Sequence, residues 1–229
     1  MKAAIMQPYF FPYLGYYQLI NAVDIFVIYD DVKYINRGWI NRNYLLSENN
    51  KQRITMETVG ASQNKLIREV EVGNNFKKIL HTVHHLYSKA PFFININDLL
   101  QRIFGYKDRN LANFLYESII RTCEYINVNK EFILASSLTI DPNLKGENRI
   151  INICKKLGVT SYFNLSGGID LYTKENFANE KIDLIFLRKK SLSYSQFDGE
   201  FVDNLSIIDA LMFNSTSEIK YLLQQYELL

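Results

Sequence analysis

The 229-residue chain is 48% hydrophobic and 22% charged, which excludes a disordered protein. At about 150 residues per domain it allows one large domain, with a core that needs no disulfide or metal staple. Lys and Arg number 26 against 24 Asp and Glu, and a net charge of +2 argues against a dedicated nucleic-acid partner. No apolar run reaches the roughly 18 residues of a membrane span, and the opening residues lack the apolar stretch of a signal peptide. Two cysteines, Cys123 and Cys154, make no disulfide framework, so a cytoplasmic protein without a membrane span is expected.

The apolar run at residues 3–6 reads as a buried strand. Residues 7–13 follow with Pro8 and Pro12, which forbid regular helix. A helix can start after Gly15 and run through residues 16–22. Residues 24–29 read as a second buried strand, continuous and β-branched as central parallel strands are. Residues 32–46 read as a basic, aromatic loop and residues 53–59 as a half-exposed strand.

From residue 74 to 125 the apolar period becomes helical. Phe76, Ile79, Leu80, Val83, Leu86 and Tyr87 share one face; Leu111, Phe114, Leu115, Ser118 and Ile119 share another. Strands are expected at residues 132–134, 161–163 and 182–187, and helices at 147–157 and 206–212. This alternation predicts a single α/β domain over residues 1–229: a mostly parallel sheet with helices on both faces and a helical insertion near residues 74–126.

The densest chemistry lies at the ends of the first two strands. Gln7, Tyr9, Tyr13, Gly15 and Tyr16 occupy a turn between strand and helix, where open α/β sheets bind ligands. The alternative is that these rings plug the core. Asp30 and Asp31 end the second strand, and neighbours on an extended strand face opposite ways, so at most one is expected to face a site. Arg37, Trp39 and Arg42 follow, suited to stacking on a ring while gripping phosphate. Arg149 opens a helix, an electrostatically poor position that suggests binding or pairing. Ser166, Gly167 and Gly168 follow a strand and would let a ligand approach backbone. His81, His84 and His85 have helical spacing but no third-ligand signature, so no metal is expected. Cys154 lies in an apolar stripe, and Ser166 lacks a nucleophile elbow.

Residues Ile5-Met6-Gln7-Pro8-Tyr9-Phe10-Phe11-Pro12-Tyr13-Leu14-Gly15-Tyr16 resemble the WbqC-like family of bacterial O-antigen and surface-polysaccharide gene clusters. Further matching stretches are Asp30-Asp31-Val32, Lys89-Ala90-Pro91-Phe92-Phe93, Ile153 to Gly158, Ser166-Gly167-Gly168 and Leu205 to Asp209, so the likeness spans nearly the whole chain. It implies a role in lipopolysaccharide assembly and a transferase that adds an acyl or aminoacyl group to an amino sugar. Tyr13-Leu14-Gly15-Tyr16 also resembles the His-x-Gly-His turn of cytidylyltransferase-like domains, which implies a nucleotide-binding-like N-terminal half. Tyrosines replace both histidines, which puts nucleotidyl transfer in doubt and leaves nucleotide binding open.

The combined expectation is an enzyme acting on the amino group of a nucleotide-linked sugar. Asp30 or Asp31 would be the base, and Tyr9, Tyr13 and Tyr16 would orient substrate or donate to the oxyanion. Gln7, Gly15, Arg37, Trp39, Arg42, Arg149, Ser166, Gly167 and Gly168 would bind it. No cofactor is required, and an acyl or peptidyl carrier protein is the expected donor partner. The alternatives are a nucleotidyltransferase, a glycosyltransferase, or a non-catalytic scaffold of a polysaccharide assembly complex.

Overall fold

The computed structural model describes residues 1–229. The buried apolar runs β1 (Lys2–Met6) and β2 (Ile25–Ile28) pair in parallel, with Ala4 opposite Phe26 and Met6 opposite Ile28. The connecting helix is α1 (Leu14–Ala22). The chain then leaves the sheet for the hairpin β3 (Arg42–Ser47) and β4 (Asn50–Thr55), and for the short pair β5 (Thr58–Val59) and β6 (Glu71–Val72). Three helices follow, α2 (Phe76–Tyr87), α3 (Phe93–Phe104) and α4 (Leu111–Tyr125), before β7 (Glu131–Leu134) returns parallel to β2. Helix α5 (Gly146–Lys156) leads to β8 (Ser161–Leu165), which pairs with the other side of β1. Helix α6 (Lys174–Asn179) leads to β9 (Asp183–Lys189), parallel to β8. The chain closes with α7 (Ile207–Phe213), α8 (Thr216–Leu222) and β10 (Tyr226–Leu228), which is antiparallel to β9.

The sheet order is therefore β10-β9-β8-β1-β2-β7. From β1 the chain steps one way to β2 and β7, then returns to build β8 and β9 on the other side. Such a reversal leaves a crevice at the carboxyl ends of the two strands where it occurs, here β1 and β8.

Strand alternation splits the core between two faces. Ala4, Phe26, Ile28, Phe163 and Leu187 join α1, α2, α3, α4, α7 and α8 in one cluster. Ala3, Ile5, Ile25, Val27, Tyr162 and Phe186 join Ile150, Ile153 and Cys154 of α5 and Phe177 of α6 in the other. The three helices between residues 76 and 125 thus share the sheet's own core. The faces expected on α2 and α4 are the buried ones, with Leu80 and Leu86 at the margin.

Two expectations are corrected. The stretch read as a loop over residues 32–46 ends in β3, where Leu45 and Leu46 are buried against the helical layer. The strand expected over residues 53–59 is interrupted at Met56 and Glu57, where Met56 O accepts from the Asn41 side chain and Glu57 O from Gly73 N–H.

The turn after β1 is held in an unusual backbone state. Phe11 has φ +43°, a region that bulky L-residues avoid and that costs on the order of 1–3 kcal/mol. Buried Asn43 of β3 offsets this cost by donating both Nδ2 hydrogens, to Phe10 O at 3.1 Å and Phe11 O at 2.7 Å. Ser206 Oγ donates to Phe11 O as well, at 2.9 Å. Phe10 N–H reaches Trp39 O and Ile207 N–H reaches Pro12 O, so β3 and the start of α7 clamp the turn from both sides. Phe10 and Phe11 are driven into the core, edge to face at 4.8 Å and against Phe104.

Replacing Asn43 with Leu leaves the Phe10 carbonyl without a donor and the Phe11 carbonyl with Ser206 alone, a buried unsatisfied group costing about 1–3 kcal/mol. Urea unfolding of Asn43→Leu is expected to show a loss of about 1–3 kcal/mol; a loss near zero would show that the clamp carries no stability.

Candidate functional site

A cleft of about 720 Å³ lies at the carboxyl ends of β1, β8 and β9. Its walls include Gln7, Tyr9, Tyr13 and Gly15 from the first turn, Ile35 and Trp39 from the next loop, and Tyr29 from the end of β2. The opposite wall is Asn164 to Gly168 with Leu171 and Tyr172, and Arg188, Lys189 and Asn204 close it. No Asp or Glu lines it, and its two basic residues, Arg188 and Lys189, each have a carboxylate partner just beyond the walls, Glu227 and Asp203. The N-terminus of α1 opens beside Tyr13 and Gly15, with neither an acidic residue nor a side-chain cap in its first turn.

The sequence-predicted residues separate into two groups. Gln7, Tyr9, Tyr13, Gly15, Trp39, Ser166, Gly167 and Gly168 are brought together on this cleft although they span more than half the chain. The others are elsewhere. Tyr16 is fully buried and its hydroxyl donates to Gln7 O at 3.0 Å, so it supports the turn from behind and does not reach the cleft. Its ring packs on Phe26 because helix phase points it at the sheet.

Neither carboxylate expected as a base lines the cleft. Asp30 is buried, and its Oδ1 accepts Ser136 N–H at 2.9 Å beyond the end of β7. Asp31 pairs with Arg149 of α5 at 2.5 Å in a largely buried ion pair. Burial pushes the Asp31 carboxyl up and Arg149 pulls it down, with burial the larger effect. Arg149 also lies over the Tyr29 ring, so this pair backs one wall of the cleft from outside. The two loop arginines are turned away as well. Arg37 is exposed in a turn with φ +61°, and Arg42 Nε donates to Gly38 O at 3.0 Å.

The cations that do line the cleft, Arg188 and Lys189, were missed. Arg188 pairs with Glu227 of β10 at 2.5 Å on the exposed rim, and Lys189 pairs with Asp203. The strand-end rule applied to Asp30 would have found them, since both end β9. Asn164, Tyr29, Tyr172 and Asn204 were missed too; Asn164 is held by Leu165 N–H and Tyr162.

Gly15 has a different reason from the one expected. A Cβ there would meet Tyr13 Cε2 at 2.5 Å, so the missing side chain makes room for the Tyr13 ring over α1. Gly167 is the converse case: a Cβ would meet nothing within 4 Å. Burial, with Tyr9 and Asp203 adding, pushes the Tyr13 phenol up to about 12, and burial raises Tyr9 also. At neutral pH both are protonated donors. They can bond a phosphate or an oxyanion and cannot act as bases.

The histidines His81, His84 and His85 sit exposed on α2, His84 edge-on to Phe93. No group of three or more His, Cys, Asp or Glu side chains is close enough to hold a metal ion. Cys123 and Cys154 are buried, and burial raises both thiols, Cys154 to about 12. No helix is long and apolar enough to cross a membrane.

Residues 7–221 match the sequence profile of the WbqC-like protein family. The chain belongs to this family. The match starts at Gln7 and includes the clamped turn, the loop of Trp39, the backbone of Ser166 to Gly168 and the end of β9. Among its relatives is the uncharacterized protein Rv1507c of Mycobacterium tuberculosis, 28% identical over 222 residues, with 95% of each chain covered. No solved structure matches the chain significantly.

Two outcomes are expected from these tyrosines. Because the Tyr13 phenol is raised in the folded state, the stability it contributes is complete below pH 10 and is lost as pH rises toward 12. Unfolding free energy measured across that window should fall less steeply in Tyr13→Phe, by up to about 1.4 kcal/mol per pH unit; identical slopes would place the phenol in open water. In Gly15→Ala the Tyr13 ring must swing off α1, and a crystal structure of the variant should show it displaced into the cleft; an unmoved ring would contradict the steric account.

Proposed function

We propose that this protein is a group transferase of surface-polysaccharide assembly, adding an acyl or aminoacyl group to the amino group of a nucleotide-linked amino sugar. The observation that carries this reading is the cleft itself. It sits at the switch point of a mostly parallel sheet, walled by tyrosine, tryptophan and free backbone, with two basic residues whose carboxylate partners stand outside the walls. A nucleoside diphosphate carries the charge and the flat ring that such walls accept. Family membership supports a common role with other WbqC-like proteins, and the resemblance to O-antigen cluster members supports the polysaccharide context.

In this reading the amine nitrogen attacks the carbonyl carbon of an activated donor, carried by an acyl or peptidyl carrier protein. The C–N bond forms, the bond to the leaving group breaks, and the amine proton passes to the departing group or to water. Tyr9 and Tyr13, protonated, donate to the oxygen that gains charge. Asp30 and Asp31, engaged with Ser136 and Arg149, take no part as bases. Nucleotidyl transfer calls for a metal-holding carboxylate near Tyr13, and the carboxylate there, Asp203, is engaged with Lys189.

Gly167→Leu tests the reading with little risk to the fold, because the new side chain enters open space. A thermal-shift panel of nucleotide sugars should raise the wild-type Tm with at least one member and leave Gly167→Leu unmoved, while both apo proteins melt alike. No shift for wild type at millimolar concentrations with any member would reject the reading and favour a non-catalytic scaffold.

A further inference from the structure

A second chamber of about 400 Å³ adjoins the cleft, lined by Tyr9, Pro12, Tyr13, Trp39, Asn43, Tyr44, Lys51 and Asn204. Four of these residues, Tyr9, Tyr13, Trp39 and Asn204, line the larger cleft too, so the chambers meet at one shared wall. The two have different chemistry. The larger holds Arg188, Lys189, the start of α1 and the backbone of Ser166 to Gly168. The smaller is walled by aromatic rings, with Lys51 its only charged side chain and no carboxylate among its lining residues.

We propose that the smaller chamber is a saccharide subsite, which takes the pyranose ring of a nucleotide-linked sugar while the larger cleft takes the nucleoside diphosphate. The inference rests on the nucleotide-sugar reading above and divides that ligand between the two chambers. A pyranose presents flat C–H faces and a polar edge. Trp39 and Tyr44, edge to face at 5.9 Å, supply apolar surface for the faces. The polar edge meets groups whose hydrogens are not spent within the chain: the Tyr9 and Tyr13 hydroxyls, Lys51 Nζ and the Asn204 amide. Asn43 is different, since both Nδ2 hydrogens go to the Phe10 and Phe11 carbonyls, and it shapes the chamber without serving the ligand.

The charge pattern agrees with an amine nucleophile. With a lysine and no carboxylate on its wall, the chamber disfavours an ammonium and favours the neutral amine that attack requires. The shared wall also places the Tyr9 and Tyr13 hydroxyls where sugar and diphosphate join. A volume of this size has room for a sugar ring with its substituent.

Trp39 is the chain's single tryptophan, so its emission reports on both chambers without a label. The test titrates three probe classes: UDP or dTDP alone, the matching nucleotide sugars, and methyl glycosides at tens of millimolar. Wild type is expected to bind a nucleotide sugar at least tenfold more tightly than its bare nucleotide. Tyr44→Ala and Lys51→Ala, which touch only the smaller chamber, should each lose at least fivefold for the nucleotide sugar and nothing for the nucleotide. Arg188→Ala should weaken both ligands together. Lys51 is exposed, so its replacement keeps the fold if the Tyr44 variant does not. A sugar increment that survives both small-chamber variants, or a wild type that binds nucleotide and nucleotide sugar equally, overturns the subsite and leaves the nucleotide reading intact. Binding of methyl glycosides without any nucleotide supports the subsite and removes the nucleotide reading. No response to any of the three removes both.

Discussion

Asn43 and Ser206 hold the carbonyls of Phe10 and Phe11, and the rest of the site depends on that clamp. Two neighbouring phenylalanines on an extended chain would face opposite ways. With Phe11 in the left-handed region both rings enter the core. Tyr9 and Tyr13, on either side of the kink, are left on the cleft wall. Backbone strain of this kind persists only where surrounding contacts over-determine it. Here those contacts come from β3 and α7, elements separated from the turn by about 30 and 195 residues of chain.

Topology explains why the clamp has a cleft beside it. Strands β2 and β7 lie on one side of β1 and strands β8 and β9 on the other, so the segments leaving β1 and β8 diverge. The turn after β1 carries aromatic rings into the gap, and the segment after β8 carries glycine backbone to its far side. The excursion between β2 and β7 supplies the hairpin that braces the turn and the three helices that cover its outer face. One apolar cluster runs through all of these elements, which makes the rigidity of the tyrosine wall a property of the core.

Much of this was legible in the sequence, for physical reasons. Continuous apolar runs announced β1 and β2, the 3.6-residue period announced α2 and α4, and the rule that ligands sit at strand ends selected Tyr9, Tyr13, Gly15, Trp39 and Gly167. Strand β3 was hidden because Arg42, Asn43 and Tyr44 read as loop chemistry, and its partner strand is mostly exposed. Helix α8 carried a readable Ser215–Glu218 capping box that the apolar pattern did not suggest. The fates of Asp30 and Asp31 were not legible locally: their partners, Ser136 and Arg149, lie 106 and 118 residues away and meet them only through the pairing of β2 with β7 and the packing of α5. Tyr16 differs from Tyr13 by helix phase alone, and only the sheet's position decides which ring stays on the wall.

The central claim is that one ligand bridges the clamped turn and the end of β9. A crystal structure of the chain with a nucleotide sugar tests it directly. The account predicts a diphosphate between the start of α1 and Lys189, flanked by the backbone of Gly167, with Trp39 covering the ligand and Phe11 still at positive φ. A ligand seated away from this cleft, or a turn that relaxes to extended backbone on binding, would contradict it.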